Sequence, residues 1–262
     1  MLTAMGALAL PGWTLGYATP APVWRFPEDR VGYAIGDVHG RADLLAILLD
    51  KIEADARASR LKPLLVMLGD YVDRGPDSRG VIEMLASGRP HGFERRFLKG
   101  NHEQAMLAFL DKPHANRPWL ELGGLQTIVS YGLPAALSNA ADAALQRVAA
   151  DLRAALPESH LAFLKGLERY AVYGDYLFVH AGVDPAKPLA AQTDTDLFWI
   201  RDRFLKAFGA YTHCVVHGHT PQPFAYVDER RIGVDTGAYA LGTLTAVRLE
   251  AETTSFISAS AT

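Results

Sequence analysis

The chain has 262 residues, of which 49% are hydrophobic and 21% are charged, which is enough for one large α/β domain with a substantial core. Its formal net charge of −3 and its pI near 6.3 argue against a nucleic-acid partner, which usually requires clustered Lys and Arg. The single cysteine, Cys214, excludes an intramolecular disulfide and hence a disulfide-stapled secreted scaffold. We therefore expect a cytoplasmic protein.

Residues 1–28 are rich in Gly, Pro and Ala and are predicted to form an N-terminal extension. The apolar stretch Ala7–Tyr17 contains Pro11, and no Lys or Arg occurs before Arg25, so this stretch lacks the basic region of a secretory signal. It is also too short to span a bilayer. We expect no membrane partner.

Three strand–loop–helix units follow in chain order. Short apolar runs predict the strands, and apolar residues at helical spacing predict the helices. The predicted strands are 31–35, 64–68 and 93–98, and the predicted helices are 44–52, 78–86 and 103–110. Such alternation favours a mainly parallel sheet with helices on both faces, in which ligands bind beyond the carboxyl ends of the strands.

Residues 112–172 are predicted to form a helical insertion, because they are rich in Ala and Leu and are interrupted by Gly and Pro. This insertion carries no obvious chemistry, and we expect it to wall the substrate cleft. Strand-like segments return at 176–179, 214–216, 231–234 and 243–249 and predict a second sheet packed on the first. The main domain is expected to span residues 29–255, followed by a C-terminal tail at 256–262.

Five short polar clusters terminate the apolar runs. They read Gly36-Asp-Val-His-Gly40, Gly69-Asp-Tyr-Val-Asp-Arg-Gly75, Gly100-Asn-His-Glu103, Val179-His-Ala-Gly182 and His217-Gly-His-Thr220. Each cluster alone is compatible with ordinary turn chemistry. Together they supply carboxylate, imidazole and amide groups, a ligand set that suits manganese, iron or zinc in an open catalytic site. In Asp37-x-His39, alternate side chains on extended backbone would point the same way, so both could reach one ion.

In this order, the clusters resemble the signatures GDxHG, GDxxDRG and GNHE of the calcineurin-like metallophosphoesterases, and specifically of their phosphoprotein phosphatase branch. The resemblance spans residues 32 to about 240. It implies an α/β fold with four layers, α/β/β/α, in which two mixed β-sheets are flanked by helices. It also implies a phosphomonoester hydrolase, foremost a serine/threonine protein phosphatase, in which hydroxide activated by two metal ions attacks phosphorus in line.

The resemblance assigns six metal ligands by position. They are Asp37 and His39 for the first ion, Asn101, His180 and His219 for the second, and Asp70 as the bridge between the two. The implied cofactor is two divalent cations, with Mn²⁺ favoured over Fe or Zn. Two such cations facing two carboxylates keep two unneutralised positive charges, which a phosphate dianion can complete.

The resemblance also assigns the proton donor for the leaving group to His102, oriented by Asp73. Arg74 and Arg201 are expected to clamp phosphoryl oxygens, because a guanidinium fork matches two of them and stays charged. The residues expected to contact the substrate are Arg74, Asn101, Arg201 and Tyr239.

Three departures from the family pattern refine this assignment. Lys99 replaces the arginine that many relatives have before GNHE, which predicts a looser grip on phosphate. The last cluster ends in Thr220 and lacks the second histidine of many phosphodiesterase relatives, which favours monoesters. The SAPNY signature of the eukaryotic enzymes is absent, and Asp235-Thr-Gly-Ala238 stands in that general region, which indicates the bacterial-type subgroup.

Several alternatives remain open at this stage. The expected partner is a phosphorylated protein or a small phosphoester, and a dinucleoside polyphosphate such as diadenosine tetraphosphate is the second candidate, because a related branch shares the clusters. A catalytically silent scaffold is disfavoured, since all the inferred ligands and the proton donor are present. His217 is either a support for a ligand or a competing ligand. Cys214 is expected to be a buried strand residue, because Thr220 stands where a cysteine phosphatase requires arginine.

Overall fold

The computed structural model describes residues 22–134, 142–207 and 211–261, so that most of the predicted N-terminal extension lies outside it. Two β-sheets of five strands each run through these described ranges. The strands are β1 Arg30–Ile35, β2 Lys62–Met67, β3 Glu94–Phe97, β4 Tyr170–Tyr173, β5 Tyr176–Val179, β6 Cys214–His217, β7 Tyr226–Val227, β8 Arg231–Gly233, β9 Thr243–Glu250 and β10 Thr253–Ser260. The α-helices are α1 Ala42–Ala58, α2 Ser78–Ala86, α3 Asn101–Asp111, α4 Gly124–Ser130, α5 Asp142–Ala155, α6 Glu158–Lys165, α7 Asp194–Trp199, α8 Asp202–Leu205 and α9 Ala238–Leu241.

Both sheets are mixed. The first has the strand order β10-β9-β1-β2-β3, with β1, β2 and β3 parallel, β9 antiparallel to β1, and the edge strand β10 antiparallel to β9. The second has the order β4-β5-β6-β8-β7, with β5, β6 and β8 parallel between two antiparallel edge strands. Parallel strands bring their carboxyl ends to one edge of a sheet, so the polar loops that follow them can meet there.

The layers follow from alternation along the strands. In β1, Tyr33 and Ile35 pack towards the helices outside the first sheet, whereas Ala34 faces the second sheet. In β5, Phe178 faces the first sheet, and Leu177 packs outward with residues of α7 and α8. Three apolar clusters therefore separate four layers, which confirms the predicted α/β/β/α sandwich.

Two boundaries differ from the predictions. The segment predicted as a C-terminal tail from residue 256 belongs to β10, which pairs along its whole length with β9 after a turn at Ala251. The predicted helical insertion also ends early, because Tyr170–Tyr173 pairs with β5 across a turn at Gly174. Both corrections concern hairpin strands at sheet edges, where pairing with a neighbour outweighs a weak local pattern.

The helices of the insertion are α4, α5 and α6, preceded by a short 3-10 turn at Arg117–Leu120. They pack on the same side of the first sheet as α2 and α3. Within the described residues, no helix is long and apolar enough to cross a membrane.

Candidate active site

The loops that carry the predicted site have an unusual backbone. Six described non-glycine residues have positive φ, and five of them are His39, Asp70, Asp73, Arg74 and His219, with φ between 44° and 72°. This left-handed conformation is costly for residues with a side chain, so it persists only where the surrounding contacts enforce it. The strained loops therefore coincide with the residues that the sequence assigns to chemistry.

Asp70 lies between two groups of imidazoles and is buried. Its Oδ2 is 3.4 Å from Nε2 of His39, and its Oδ1 is 3.4 Å from Nε2 of His180. Ligand atoms of His39, Asp70 and His102 lie within 4.8 Å of one another, and so do those of Asp70, His180 and His219. One carboxylate thus belongs to both groups, as a bridging ligand would.

Backbone carbonyls fix the orientation of two of these histidines. Nδ1 of His39 donates to the carbonyl of Val72 at 2.9 Å, and Nδ1 of His180 donates to the carbonyl of Leu68 at 2.9 Å. In each ring the proton on Nδ1 leaves the lone pair on Nε2 directed into the site. Burial lowers the pKa of both rings, to about 3 for His39, so both are neutral and able to bind a metal at neutral pH.

The second group brings two acceptor atoms, Nε2 of His180 and Oδ1 of Asn101, into direct contact. Nε2 of His180 is 2.9 Å from Oδ1 of Asn101 and 3.2 Å from Nδ1 of His219, and that Nδ1 is 2.9 Å from the same Asn101 oxygen. Nε2 of His219 is buried without a hydrogen-bond partner. One ring proton cannot satisfy all of these contacts. A divalent cation can, and the nitrogen and oxygen donor set suits one.

We call the space between the two groups of ligand atoms the pit. Asp37 is buried beside it, and both of its carboxylate oxygens accept from the backbone N–H of His219 at 3.0 and 3.1 Å. Gly218 permits this approach, because a Cβ there would lie 2.1 Å from Oδ1 of Asp37. Burial raises the pKa of Asp37, and the negative charges of Asp235 and Asp70 raise it further. Bound cations would reverse this effect and keep the carboxylate ionised.

The alternation argument for Asp37-x-His39 was wrong in its geometry. His39 has a φ of 44°, so the segment is not extended, and the side chains of Asp37 and His39 do not follow strand alternation. Among the described residues, the compact group that includes His39 contains Asp70 and His102 but not Asp37. Separate contacts hold the two residues. Asp37 is held by the backbone N–H of His219, whereas the backbone N–H groups of Val38 and His39 both donate to the carbonyl of Asp70.

His102 and Asp73 form a buried pair beside the ligands. Nδ1 of His102 donates to Oδ2 of Asp73 at 2.8 Å, and both side chains are fully buried. Burial lowers the pKa of His102, but the carboxylates of Asp70 and Asp73 outweigh this effect and raise it overall. The charged imidazolium is therefore stabilised at this position.

Arg74 and Tyr239 lie together beside the first group of ligands. The guanidinium of Arg74 donates to Nε2 of His39 at 3.1 Å and to Nε2 of His102 at 2.9 Å. It lies 5.0 Å from the centre of the Tyr239 ring, which in turn contacts the His39 ring at 5.3 Å between centroids. The half-exposed Tyr239 thus holds Arg74 over the first group of ligands.

Arg201 is exposed and lies just before α8. The end of β5 and α7 are tied together, because the backbone N–H of Ala181 donates to the carbonyl of Leu197. Burial lowers the pKa of His180 and His219, and the positive charge of Arg201 contributes to this lowering. The role of Arg201 as a phosphoryl clamp stays a prediction.

His217 bonds away from the pit. Its Nε2 pairs with the hydroxyl of Tyr226 at 2.9 Å, and its ring packs edge-on against Phe204. Of its two interpretations, the structure favours support of the ligand loop that follows β6. Cys214 is 1% exposed within β6, as expected for a buried strand residue.

Glu103 organises the loops, although no role was predicted for it. Its Oε2 accepts from the backbone N–H groups of Asp70 and Gly100 at 2.9 Å each, and its Oε1 accepts from Tyr71 at 2.7 Å and Val72 at 3.2 Å. A glutamate three residues after a helix N-cap is a known capping pattern, and this signal was available in the sequence. Burial and the charge of Asp70 raise the pKa of Glu103 to about 7, against the effect of these donors.

Three further residues at the site had no assigned role in the sequence. Asp235 is buried and adds a carboxylate beside Asp37. Trp119 and Thr127, both from the insertion, donate to the Asp73 carboxylate. No local pattern marks either contact, since the partners are 46 and 54 residues apart.

Comparisons with known proteins agree with this geometry. The model of the calcineurin-like phosphoesterase family matches residues 33–252. An asymmetrical bis(5'-nucleosyl)-tetraphosphatase of Bacillus subtilis is 27% identical over 243 residues, which cover 84% of this chain and 92% of that protein. Serine/threonine-protein phosphatase 1 of Salmonella typhimurium is 28% identical over 227 residues, which cover 83% and 91%. A crystal structure described as a candidate diadenosine tetraphosphatase superposes with a TM-score of 0.60 at 19% identity and covers 88% of this chain and 94% of that one.

Proposed function

The chain belongs to the calcineurin-like phosphoesterase family, and from this premise we propose that it hydrolyses phosphomonoesters, with phosphoserine and phosphothreonine in proteins as its substrate class. Hydrolysis of phosphoesters with divalent cations is the chemistry of that family. The proposal adds the type of ester, the number of cations and the role of each residue. Mn²⁺ is the cation that we favour.

One observation carries the proposal. The two oxygens of Asp70 face two separate groups of uncharged ligand atoms, 3.4 Å from His39 on one side and 3.4 Å from His180 on the other. The buried carboxylates of Asp37 and Asp70 supply two negative charges against the four positive charges of two divalent cations, so a site loaded with two cations attracts a further anion. A phosphoryl group has the required charge and oxygen atoms.

The residues then have distinct roles. His39, Asp37 and Asp70 would hold one cation, and Asp70, Asn101, His180 and His219 would hold the other. When bound, such cations neutralise phosphoryl oxygens and lower the pKa of a water molecule to near neutrality.

The remaining residues act on the substrate. Arg74 donates two hydrogen bonds towards the pit, and a phosphoryl group that accepts both of them frees Nε2 of His102. That nitrogen can then carry the proton that the leaving alkoxide needs, while Asp73 keeps its charge and stabilises the imidazolium. Arg201, exposed just before α8, is assigned the second guanidinium.

Dinucleoside tetraphosphate hydrolysis is the second candidate. It is supported by the Bacillus relative, which bears that activity in its name and is matched over 92% of its length. The Salmonella relative, of similar identity and coverage, bears the name of a protein phosphatase. Sequence identity therefore does not separate the two substrates, and direct comparison of turnover does.

The experiment has two stages. First, p-nitrophenyl phosphate is offered to the metal-stripped protein with and without Mn²⁺, beside a His102→Asn variant purified in parallel. We expect turnover that requires Mn²⁺ and falls about 10²-fold in the variant, the range of general acid catalysis. Second, a phosphoserine peptide and diadenosine tetraphosphate are compared at equal concentration.

A higher kcat/KM for the phosphopeptide supports the proposed substrate class, and a higher value for the dinucleotide replaces it with the second candidate. If the folded protein turns over no substrate with manganese, iron, zinc or cobalt, the proposal is wrong. Equal turnover by wild type and His102→Asn would remove His102 from its assigned role.

A further inference from the structure

The insertion contributes directly to the proton-donor side of the site. Nε1 of Trp119 donates to Oδ2 of Asp73 at 2.8 Å, and the hydroxyl of Thr127 donates to Oδ1 at 2.6 Å. Oδ2 also accepts from Nδ1 of His102 at 2.8 Å. All four side chains are buried, with exposed fractions of 0–1%. Three donors from three elements thus converge on one carboxylate.

These donors fix the rotation of the carboxylate. An aspartate that meets only a histidine can turn about its last torsion, and the plane of the hydrogen bond turns with it. With Thr127 on one oxygen and Trp119 on the other, each rotation of Asp73 breaks a buried hydrogen bond, and such a loss is costly. The Thr127 hydroxyl also accepts from the backbone N–H of Asp73 at 2.9 Å, so it binds both the backbone and the side chain of Asp73.

Trp119 is itself anchored to the helix that carries His102. Its ring packs against Phe109 at 4.9 Å between centroids, and Phe109 lies seven residues after His102 in α3, on the same face of the helix. The side chain of Asn116, before the 3-10 turn, donates to the carbonyls of Ala108 and Lys112 and ties that turn to the same helix. Helix α3 therefore contacts Asp73 in two ways, directly through His102 and indirectly through Phe109 and Trp119.

The insertion also holds the backbone of the strained loop. The backbone N–H of Arg74, which has a φ of 69°, donates to the carbonyl of Gly123. Gly123 has a φ of 112°, and a Cβ there would lie 2.6 Å from the nitrogen of Arg74. The segment 117–127 therefore contacts two successive residues of the loop, the side chain of Asp73 and the backbone of Arg74.

We propose that Trp119 and Thr127 are positioning residues that hold Asp73 so that His102 presents its proton to the leaving oxygen of the substrate. This inference rests on the proposed function. In the step concerned, a water-derived hydroxide forms a new bond to phosphorus, the bond between phosphorus and the leaving oxygen breaks, and the proton moves from Nε2 of His102 to that oxygen. Asp73 stays ionised throughout, and solvent restores the proton to the imidazole.

A defect in proton donation depends on the leaving group, whereas a general structural defect does not. A good leaving group such as 2,4-dinitrophenolate departs without a proton, but phenolate and alkoxides need one. The ratio of kcat/KM for the two kinds of ester therefore isolates the positioning role.

The test compares Trp119→Phe and Thr127→Val with wild type on phenyl phosphate and on 2,4-dinitrophenyl phosphate with Mn²⁺. We expect kcat/KM for phenyl phosphate to fall about tenfold in each variant, since each loses one hydrogen bond to a charged group, and the value for the dinitrophenyl ester to stay within about twofold. Thr127→Ser keeps the hydroxyl and should restore both values. Trp24→Phe is the matched control, because it removes an indole donor bonded to the carbonyl of Glu229, away from the site.

A second readout needs no turnover. In the metal-free protein, the proton on Nδ1 of His102 should give a low-field NMR signal, identified by its loss in His102→Asn. We expect this signal to move upfield and broaden in Trp119→Phe and Thr127→Val but not in Trp24→Phe.

The outcomes are distinct. The positioning role is overturned, while the proposed function stands, if kcat/KM in the folded variants falls equally for both esters or does not fall for phenyl phosphate. Inactive wild type would overturn the proposed function, and an unchanged NMR signal in both variants would then overturn the inference as well.

Discussion

The two halves of the site are held in different ways. The ligand half, with Asp37, His39, Asp70, His180 and their neighbours, is built from loops at the ends of strands in both sheets, and backbone groups such as the carbonyls of Val72 and Leu68 orient it. The proton-donor half consists of the Asp73–His102 pair, and side chains of an inserted segment orient it.

This difference indicates which parts of the site tolerate change. A ligand oriented by a backbone carbonyl keeps its support when neighbouring side chains change. Asp73 depends on two specific side chains, 46 and 54 residues away, and loses a donor with each substitution. We expect substitutions in the ligand half to lower kcat/KM for every substrate. Substitutions in the donor half should lower kcat/KM only for esters with a poor leaving group.

The largest effect is expected for the residue shared by both ligand groups. Asp70→Asn removes a charge that both cations would share, and we expect kcat/KM to fall about 10³-fold, or about 4 kcal/mol of barrier, for good and poor leaving groups alike. The measurement is kcat/KM on phenyl and dinitrophenyl phosphates, with metal content determined on the same samples. Asp29→Asn, at an exposed pair with Lys62, is the control. A loss confined to phenyl phosphate would contradict the division into halves.

A smaller and selective effect is expected on the donor side. Asp73→Asn keeps the size of the side chain but removes the charge that stabilises the His102 imidazolium, so kcat/KM for phenyl phosphate should fall about 10²-fold. The value for 2,4-dinitrophenyl phosphate should change by less than about threefold, and the metal content should match that of wild type. If kcat/KM falls equally for both esters, Asp73 supports the loop rather than the proton donor.

The smallest effect on turnover is expected where the two halves join. Glu103→Gln converts one carboxylate oxygen, which accepts two backbone N–H groups, into an NH₂ that cannot accept. We expect the free energy of unfolding of the metal-free protein to fall by about 2–4 kcal/mol, because two buried amides lose their partner, whereas kcat of the folded enzyme changes less than in the other two variants.

Urea denaturation of the metal-free protein measures this change. Glu252→Gln, in an exposed pair with Arg25, is the control and should cost less than about 1 kcal/mol. Equal midpoints for wild type and Glu103→Gln would show that Glu103 does not hold these loops.

Local patterns in the sequence predicted the three strand–loop–helix units, a second sheet and the position of each polar cluster, but not the strands β4, β7 and β10. Strand and helix periodicities are local, and parallel strands end at a common edge, so the sequence is enough to place residues such as Asp70 and Asn101 together. The resemblance carried by the clusters supplied their suggested roles.

Other features became apparent only in the folded structure. The left-handed backbone of His39 corrected an argument from strand alternation, and β10 replaced a predicted tail through pairing with β9. The donors from Trp119 and Thr127 to Asp73 join residues from distant segments. Such contacts depend on how distant helices pack against one another, and a local pattern in a single sequence does not specify which segments meet.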